Sequence, residues 1–293
     1  MKNLTSSEAH ENITIVIVLF NSSEIVFKCL SKIKNFKIII VDNGKNEKVI
    51  SKIKHDFNTQ QIIKSKKNLG FGKGVNSSID YIKTKFFLIL NPDCIIEETS
   101  IINLYEKITK YNSAAVGPWI VNDKTCYGIF PEKGKGIIRN SNEVEIANLI
   151  DNKKPDGDVC VDVHASAALL INKNNFIEIK MFNEKLFLFW EEIDLCKRFR
   201  NKKFSVLISP SATAFHDRGF SVKSNIKTFL IRKYYSEKSP LYYFQVKRNS
   251  LNFFWKILKY LFRSLSYLLI LNFKKSLHNL IKSIANINYV LFG

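Results

Sequence analysis

The chain has 293 residues, 46% of them hydrophobic, and 45 Lys and Arg against 26 Asp and Glu give it a net charge of +19. That length and apolar share suffice for one large α/β domain with an appendage and argue against global disorder. Five scattered cysteines (Cys29, Cys94, Cys126, Cys160, Cys196), without a CxxC pair, argue against a disulfide framework or a zinc site and suit a reducing compartment.

In chain order, the first twelve residues are polar and lack the apolar core of a signal peptide, so a cytoplasmic protein is expected. Residues 13–20 (ITIVIVLF) read as a parallel strand buried on both faces. Ser22 or Ser23 then caps a helix with Ile25, Val26, Cys29, Leu30 and Ile33 on one side. Residues 37–41 form a second strand ending at Asp42-Asn43-Gly44, and a helix follows to about Phe57. A short strand at 61–63 and a longer one at 86–90 (FFLIL) come next, the latter ending at Asn91-Pro92-Asp93. This alternation predicts a doubly wound, mostly parallel sheet. Residues 122–158, rich in Lys, Gly, Asn and Asp, read as a surface excursion over a site, and strand character returns at 159–171 and at 205–208.

In such sheets ligands bind outside the carboxyl ends of the strands. Asn21, Asp42, Asn43, Asn68 and Asp93 all fall at those ends. Local capping explains any one of them; together they point to a site. The carboxylate of Asn91-Pro92-Asp93 suits a divalent cation that neutralises a leaving diphosphate, although a Pro-Asp turn also accounts for it. The segment 68–76 (NLGFGKGVN) suits close backbone approach but is neither a Walker loop nor a dinucleotide fingerprint. In 187–198 (FLFWEEIDLCKR), aromatics crowd Glu191 and Glu192 at a helix start, where a sheltered carboxylate can act as general base. The plainer alternative is an acidic first turn with an Asp194–Arg198 pair. By spacing alone, His216 is either a core histidine or a metal ligand.

From residue 225 on there are twelve Lys or Arg and one acid, Glu237. Nucleic acid and anionic lipid are the usual partners of such a tail, and a solvated lysine-rich face is the bland alternative. In 251–271, Asn252, Lys256, Lys259, Arg263 and Ser266 make one narrow stripe on an otherwise apolar helix, which reads as lying in a membrane interface. A helical hairpin packed on the domain or a dimer contact is the alternative. Interleaved apolar faces and the lack of a recognised binding motif argue against nucleic acid. Two domains are expected, 1–224 and 225–293.

The ordered set (an apolar strand, VDN, NLGFGKGVN, LNPD, FNEKLFLFWEEIDLCKR, AFH) resembles family 2 glycosyltransferases, in particular the bacterial rhamnosyltransferase-like branch that builds surface polysaccharides. The resemblance runs from about residue 13 to about residue 221. It implies a GT-A fold with a C-terminal amphipathic helical appendage. It assigns Phe20, Asn21 and Asp42, with Asn43 beside them, to the nucleotide, and Asn68, Gly70 and Asn76 to the donor pocket. Asp93 matches the metal-binding aspartate of a DxD-like motif, with Asn91 in place of the first acid. Of Glu191 and Glu192 the second matches the base, and His216 matches a second metal ligand.

The implied chemistry is inversion with Mg²⁺ or Mn²⁺. A TDP- or UDP-linked sugar, rhamnose by the branch resembled, passes to a glycan or lipid-linked acceptor, with the enzyme peripheral on the inner face of the plasma membrane. The sequence departs from the family pattern at DNGKNE, shortened from DNxSxD, at Glu192 for Asp, and at Ser166 for Gly. A non-catalytic partner of the same fold is the rival reading; a dehydrogenase lacks its phosphate loop in the first βα turn.

Overall fold

The computed structural model describes residues 6–22, 24–44, 46–57, 59, 61–122, 127–128, 139–140, 143–144, 154–217, 225–246 and 251–292. The chain opens with α1 (Ser6–Asn12), β1 (Ile13–Leu19), α2 (Ile25–Lys32), β2 (Lys37–Asp42), α3 (Glu47–Asp56) and β3 (Gln61–Lys64). Next come α4 (Phe71–Asn76), β4 (Phe86–Leu90), β5 (Cys94–Ile96), α5 (Glu98–Tyr111) and β6 (Ala115–Ile120). Five two-residue strands follow, β7 (Tyr127–Gly128), β8 (Arg139–Asn140), β9 (Glu143–Val144), β10 (Val159–Cys160) and β11 (Val163–His164), and then the longer β12 (Ala168–Asn172). The last elements are α6 (Lys173–Glu178), α7 (Glu191–Asn201), β13 (Val206–His216), α8 (Ile226–Tyr243), α9 (Leu251–Leu269) and α10 (Phe273–Phe292).

Nine strands form one sheet in the order β10-β13-β6-β12-β4-β1-β2-β3, with β5 pairing the far part of β13. β1, β2, β3 and β4 are mutually parallel. β12 runs against β4 and β6, which makes β6, and β13 parallel to it, run with β4. Six strands therefore release their carboxyl ends at one edge; β5, β10 and β12 run the other way. β1 and β4 are buried because β-branched and large apolar residues fill both faces. The one polar interruption, Thr14, is satisfied 2.8 Å from Thr84 Oγ1.

Three local features differ from the sequence reading. α2 starts after Glu24 with no side-chain cap, because Ser22 is engaged in the loop before it. The strand expected at 205–208 runs on to His216 through a register shift between Ser209 and Thr213. Of the excursion at 122–158, β7 pairs with β11 and β8 with β9. Asn122 and residues 154–158 are described as well, whereas the rest of the excursion, and Ser23 as a cap, lie outside the described residues.

The chain divides into two compact units. The first holds the sheet and its helices. The second holds Lys185–Trp190 together with α8, α9 and α10, so a segment expected in the first domain belongs with the tail. Aromatic pairing explains this: Phe187 stacks on Tyr235 at 4.4 Å and Trp190 meets Tyr243 at 5.1 Å. Within this unit Glu237 is buried and accepts from Lys256 Nζ (3.0 Å), Asn286 Nδ2 (3.2 Å) and Tyr260 OH (3.3 Å), tying α8, α9 and α10 together.

Candidate active site

At the carboxyl ends of β1 and β2 the chain builds a compact polar knot. Asp42 accepts from Gly44 N (3.1 Å) and from Asn46 Nδ2 (2.6 Å), and Asn46 Oδ1 accepts from Ser22 N (2.8 Å). One amide thus joins the two strand ends. Asn43 donates to the Gly70 carbonyl (2.7 Å), and Gly70 N donates to Asn68 Oδ1 (2.9 Å). Gly70 holds φ 82, a left-handed value that glycine adopts without strain. Gly44 is needed for a different reason: a Cβ there would lie 3.0 Å from Asn21 N and 3.2 Å from the Phe20 ring. Phe20, Asn21, Asp42, Asn43, Asn68 and Gly70 are therefore gathered at one place. Asn43 Oδ1 is buried with no hydrogen-bond partner among the described residues.

Asn76 sits elsewhere in the net. Its amide makes a reciprocal pair with the backbone of Phe182, 3.0 Å each way, and also donates to Glu184 (3.4 Å). Lys73 pairs with Glu184, and its hydrogen bond holds that carboxyl below the ordinary range. Asn76 fixes the segment leading to residue 184.

The third group forms where β5 pairs antiparallel with the end of β13, Cys94 opposite His216. That register sets Asp93, only 1% exposed, with Oδ1 3.3 Å from His216 Nε2. Asn91 Nδ2 lies 3.4 Å from the same ring nitrogen. The loop is pinned by Asn91 N donating to the Ala167 carbonyl (2.8 Å) and by Cys29 Sγ from below (3.9 Å). His216 is held by a reciprocal pair with Asn122, whose amide accepts from His216 N (2.9 Å) and donates to His216 O (2.7 Å). Asn122 and Asn46 escaped sequence reasoning, because nothing local marks an amide whose partner lies 94 or 24 residues away. His164 escaped it too. Its ring nitrogens lie 3.0 Å from Pro118 O and 2.8 Å from Ala165 O, steadying the turn that presents Ala167.

These residues can hold a hard divalent ion. Two adjacent ligands of an octahedral ion at about 2.1 Å stand about 3 Å apart, close to the Asp93–His216 separation. No group of three or more His, Cys, Asp or Glu among the described residues could hold a metal. The remaining ligands would come from diphosphate oxygens and water, as usual where Mg²⁺ meets a nucleotide.

Glu191 and Glu192 open α7, which packs on β11. Glu191 is 5% exposed, and its Oε2 has no hydrogen-bond partner among the described residues. Burial, then the neighbouring Glu192 charge, pushes its carboxyl well above the ordinary 4.5. Glu192 is only partly buried. The sheltered carboxylate expected here is thus the first of the pair, while Asp194 and Arg198 form the i,i+4 ion pair at 2.8 Å.

Residues 14–170 match the family described as Glycosyl transferase family 2. The chain is 25% identical over 215 residues to the low-salt glycan biosynthesis hexosyltransferase Agl10 of Haloferax volcanii, covering 71% of this chain and 68% of that one. It is 23% identical over 219 residues to the rhamnosyltransferase WbbL of Escherichia coli, covering 69% and 82%. In three dimensions it resembles GalNAc-T7 with UDP, GalNAc and Mn²⁺ (12% identity, TM-score 0.56, 82% of this chain), spanning about half of that chain (51%). It also resembles mannosyltransferase PcManGT from Pyrobaculum calidifontis in complex with GDP-Man and Mn²⁺ (8% identity, TM-score 0.54, 95% of this chain and 72% of that one). These likenesses show a GT-A fold.

Proposed function

With more than half of its length inside the match, this chain belongs to glycosyl transferase family 2, and from that premise we propose an inverting transfer from a TDP- or UDP-linked sugar to a glycan or lipid-linked glycan in surface polysaccharide synthesis. The observation that carries this reading is the pairing of Asp93 with His216 at the strand-end edge that also bears Asp42 and Asn43. The two relatives, a glycan-biosynthesis hexosyltransferase and a rhamnosyltransferase, support a glycan product and favour rhamnose as the sugar.

In this reading Phe20, Asn21, Asp42 and Asn43 receive the nucleotide, with the buried Asn43 carbonyl available to a ligand donor. Asn68 and Gly70 shape the adjoining wall, and Asn76 fixes the segment beside it. Asp93 and His216 hold a Mg²⁺ or Mn²⁺ ion, with Asn91 beside them; such an ion neutralises charge on the leaving diphosphate. The Mn²⁺ in the two similar structures supports that choice of metal. Glu191 is buried, with its carboxyl raised by that burial, while the partly exposed Glu192 is the base. It takes the acceptor hydroxyl proton as that oxygen bonds to the anomeric carbon. The bond to the diphosphate breaks on the opposite face, with its electron pair going to the phosphate oxygen.

A peripheral station on the inner face of the plasma membrane belongs to the same reading. It is supported by the basic surplus after residue 225, while no helix among the described residues is long and apolar enough to cross a membrane.

The test is release of nucleoside diphosphate from TDP-, UDP- and GDP-sugars, with glycan acceptors, in Mn²⁺, Mg²⁺ or EDTA. Turnover should require metal and one donor class, with Glu192→Gln slowing it roughly 10²–10⁴-fold and Asp93→Ala abolishing the metal response. No turnover together with no metal-dependent nucleotide binding would leave the non-catalytic reading standing.

A further inference from the structure

The second unit carries apolar stripes on its outside as well as in its core. On α10 the buried face holds Ser276, Asn279, Ser283 and Asn286, spaced three and four residues apart, beside Ile281, Ala285 and Tyr289. The outward stripe at the same spacing is Phe273, Leu277, Leu280, Ile284, Ile287 and Leu291, all exposed. α9 repeats the pattern. Tyr260 and Ser264 turn inward, Ser264 bonding Ser276 O at 2.9 Å, while Trp255, Leu258, Phe262, Leu265 and Leu269 turn outward. Phe262 is 72% and Leu269 85% exposed. Lys256, one of the five residues of the expected headgroup stripe, points instead to the buried Glu237. A helix pair in water hides its apolar stripes; this pair buries Phe253, Ile281, Ala285 and Tyr289 yet still turns a second, continuous apolar stripe outward on each helix.

We propose that the outer face of the α9–α10 hairpin embeds in an anionic lipid bilayer, the side chains entering the boundary between headgroups and acyl chains while the Ser, Asn and Glu237 contacts hold the helices together beneath them. The idea rests on the peripheral station read above and supplies its device: apolar insertion rather than a basic stripe lying on lipid. The matched stripes suit a monotopic, in-plane helix pair. Charge chooses between lipid and a second copy. Lys259, Arg263, Lys274 and Lys275 are exposed, and the only acid from residue 225 to 293, Glu237, is buried against Lys256. Two such faces would set like charges together without a carboxylate to relieve them, whereas anionic headgroups complement them.

The experiment floats the full chain on density gradients with phosphatidylcholine vesicles, with and without phosphatidylglycerol, beside Phe262→Glu/Leu269→Glu and Lys259→Glu/Arg263→Glu. The native chain should float with anionic vesicles, and the apolar double variant should partition about tenfold less while melting at the same temperature. The charge variant should lose binding mainly to the anionic vesicles. Brominated lipid should quench native fluorescence, and Trp255→Phe should remove that quenching. A native chain that stays at the bottom with anionic vesicles, or an apolar variant that floats like it, overturns the proposal. So does a native dimer that this variant dissociates without any flotation, which would make the face a contact between copies. Nucleotide release and binding measured on the same samples separate the two ideas: turnover without flotation sinks the insertion and the membrane station but not the transfer, and flotation with neither turnover nor metal-dependent nucleotide binding sinks the transfer alone.

Discussion

At Asn46 a single amide does two jobs, donating to Asp42 at 2.6 Å and accepting from Ser22 N at 2.8 Å. It fixes the direction of the carboxylate proposed to meet the nucleotide without touching the sugar. Hydrogen bonds to charged groups contribute roughly 1.5–3 kcal/mol. Asn46→Ala should therefore raise the donor KM about tenfold with kcat nearly unchanged, measured by steady-state nucleotide release. Asn46→Asp is the sharper variant. It keeps the Ser22 contact but sets a second carboxylate against Asp42, so at neutral pH it should bind donor worse than Asn46→Ala; the reverse order would remove Asn46 from this role. The residues that touch ligands in this reading were legible in the sequence because they fall at strand ends. Those that aim them, Asn46, Asn122 and His164, were not, since their partners become neighbours only after the sheet forms. His216 shows the limit well. Spacing alone could not decide between core and ligand, and only the β5–β13 register sets its ring beside Asp93.

Among the elements, the long apolar strands were legible because continuous β-branched runs at 13–19, 37–42 and 86–90 have few other uses. The short strand β5, three residues long, carried no such signal although its pairing with β13 sets Asp93 beside His216. The tail helices were legible as amphipathic but not as to which face turns in. A periodic stripe defines two faces, and the partner decides their sense; here Glu237 of α8 draws Lys256 inward. Removing one member of a buried ion pair costs about 3–5 kcal/mol, less where the other can reach water, as the one-third-exposed Lys256 can (34%). Glu237→Ala should thus destabilise the helical unit by about 2–3 kcal/mol, seen as faster proteolysis within α8–α10. Glu237→Leu with Lys256→Met should recover most of that loss, and no recovery would mean that Tyr260 and Asn286 matter more than the charge pair.

For the molecule as a whole, stability should peak in mildly acidic solution. Glu184 and Asp158 titrate below their ordinary values of 4.5 and 3.8; for Asp158, bonds from Ser209, Lys107 and Tyr111 outweigh its burial. Such carboxylates stabilise the fold above those values, and the contribution is lost as pH falls through the lowered ones. Glu191 works in the opposite sense. Its contribution is complete below the ordinary 4.5 and drains away as pH rises toward its raised value. Thermal melts across acid to alkaline pH should trace this dome, and Glu191→Gln should flatten only its alkaline side. An unchanged alkaline slope would show that Glu191 ionises as readily folded as unfolded. The order of units along the chain has its own consequence. Lys185–Trp190 belongs to the helical unit yet lies between two stretches of the sheet unit, ending one peptide bond before Glu191. No single cut can divide these bodies. Trimming the chain before α8 would strand Phe187 and Trp190, stripped of Tyr235 and Tyr243, at the very threshold of the acidic pair. The tail is thus spliced into the enzyme's interior sequence, and a shortened chain would report on lost packing at residues 185–190 as much as on loss of the proposed lipid contact.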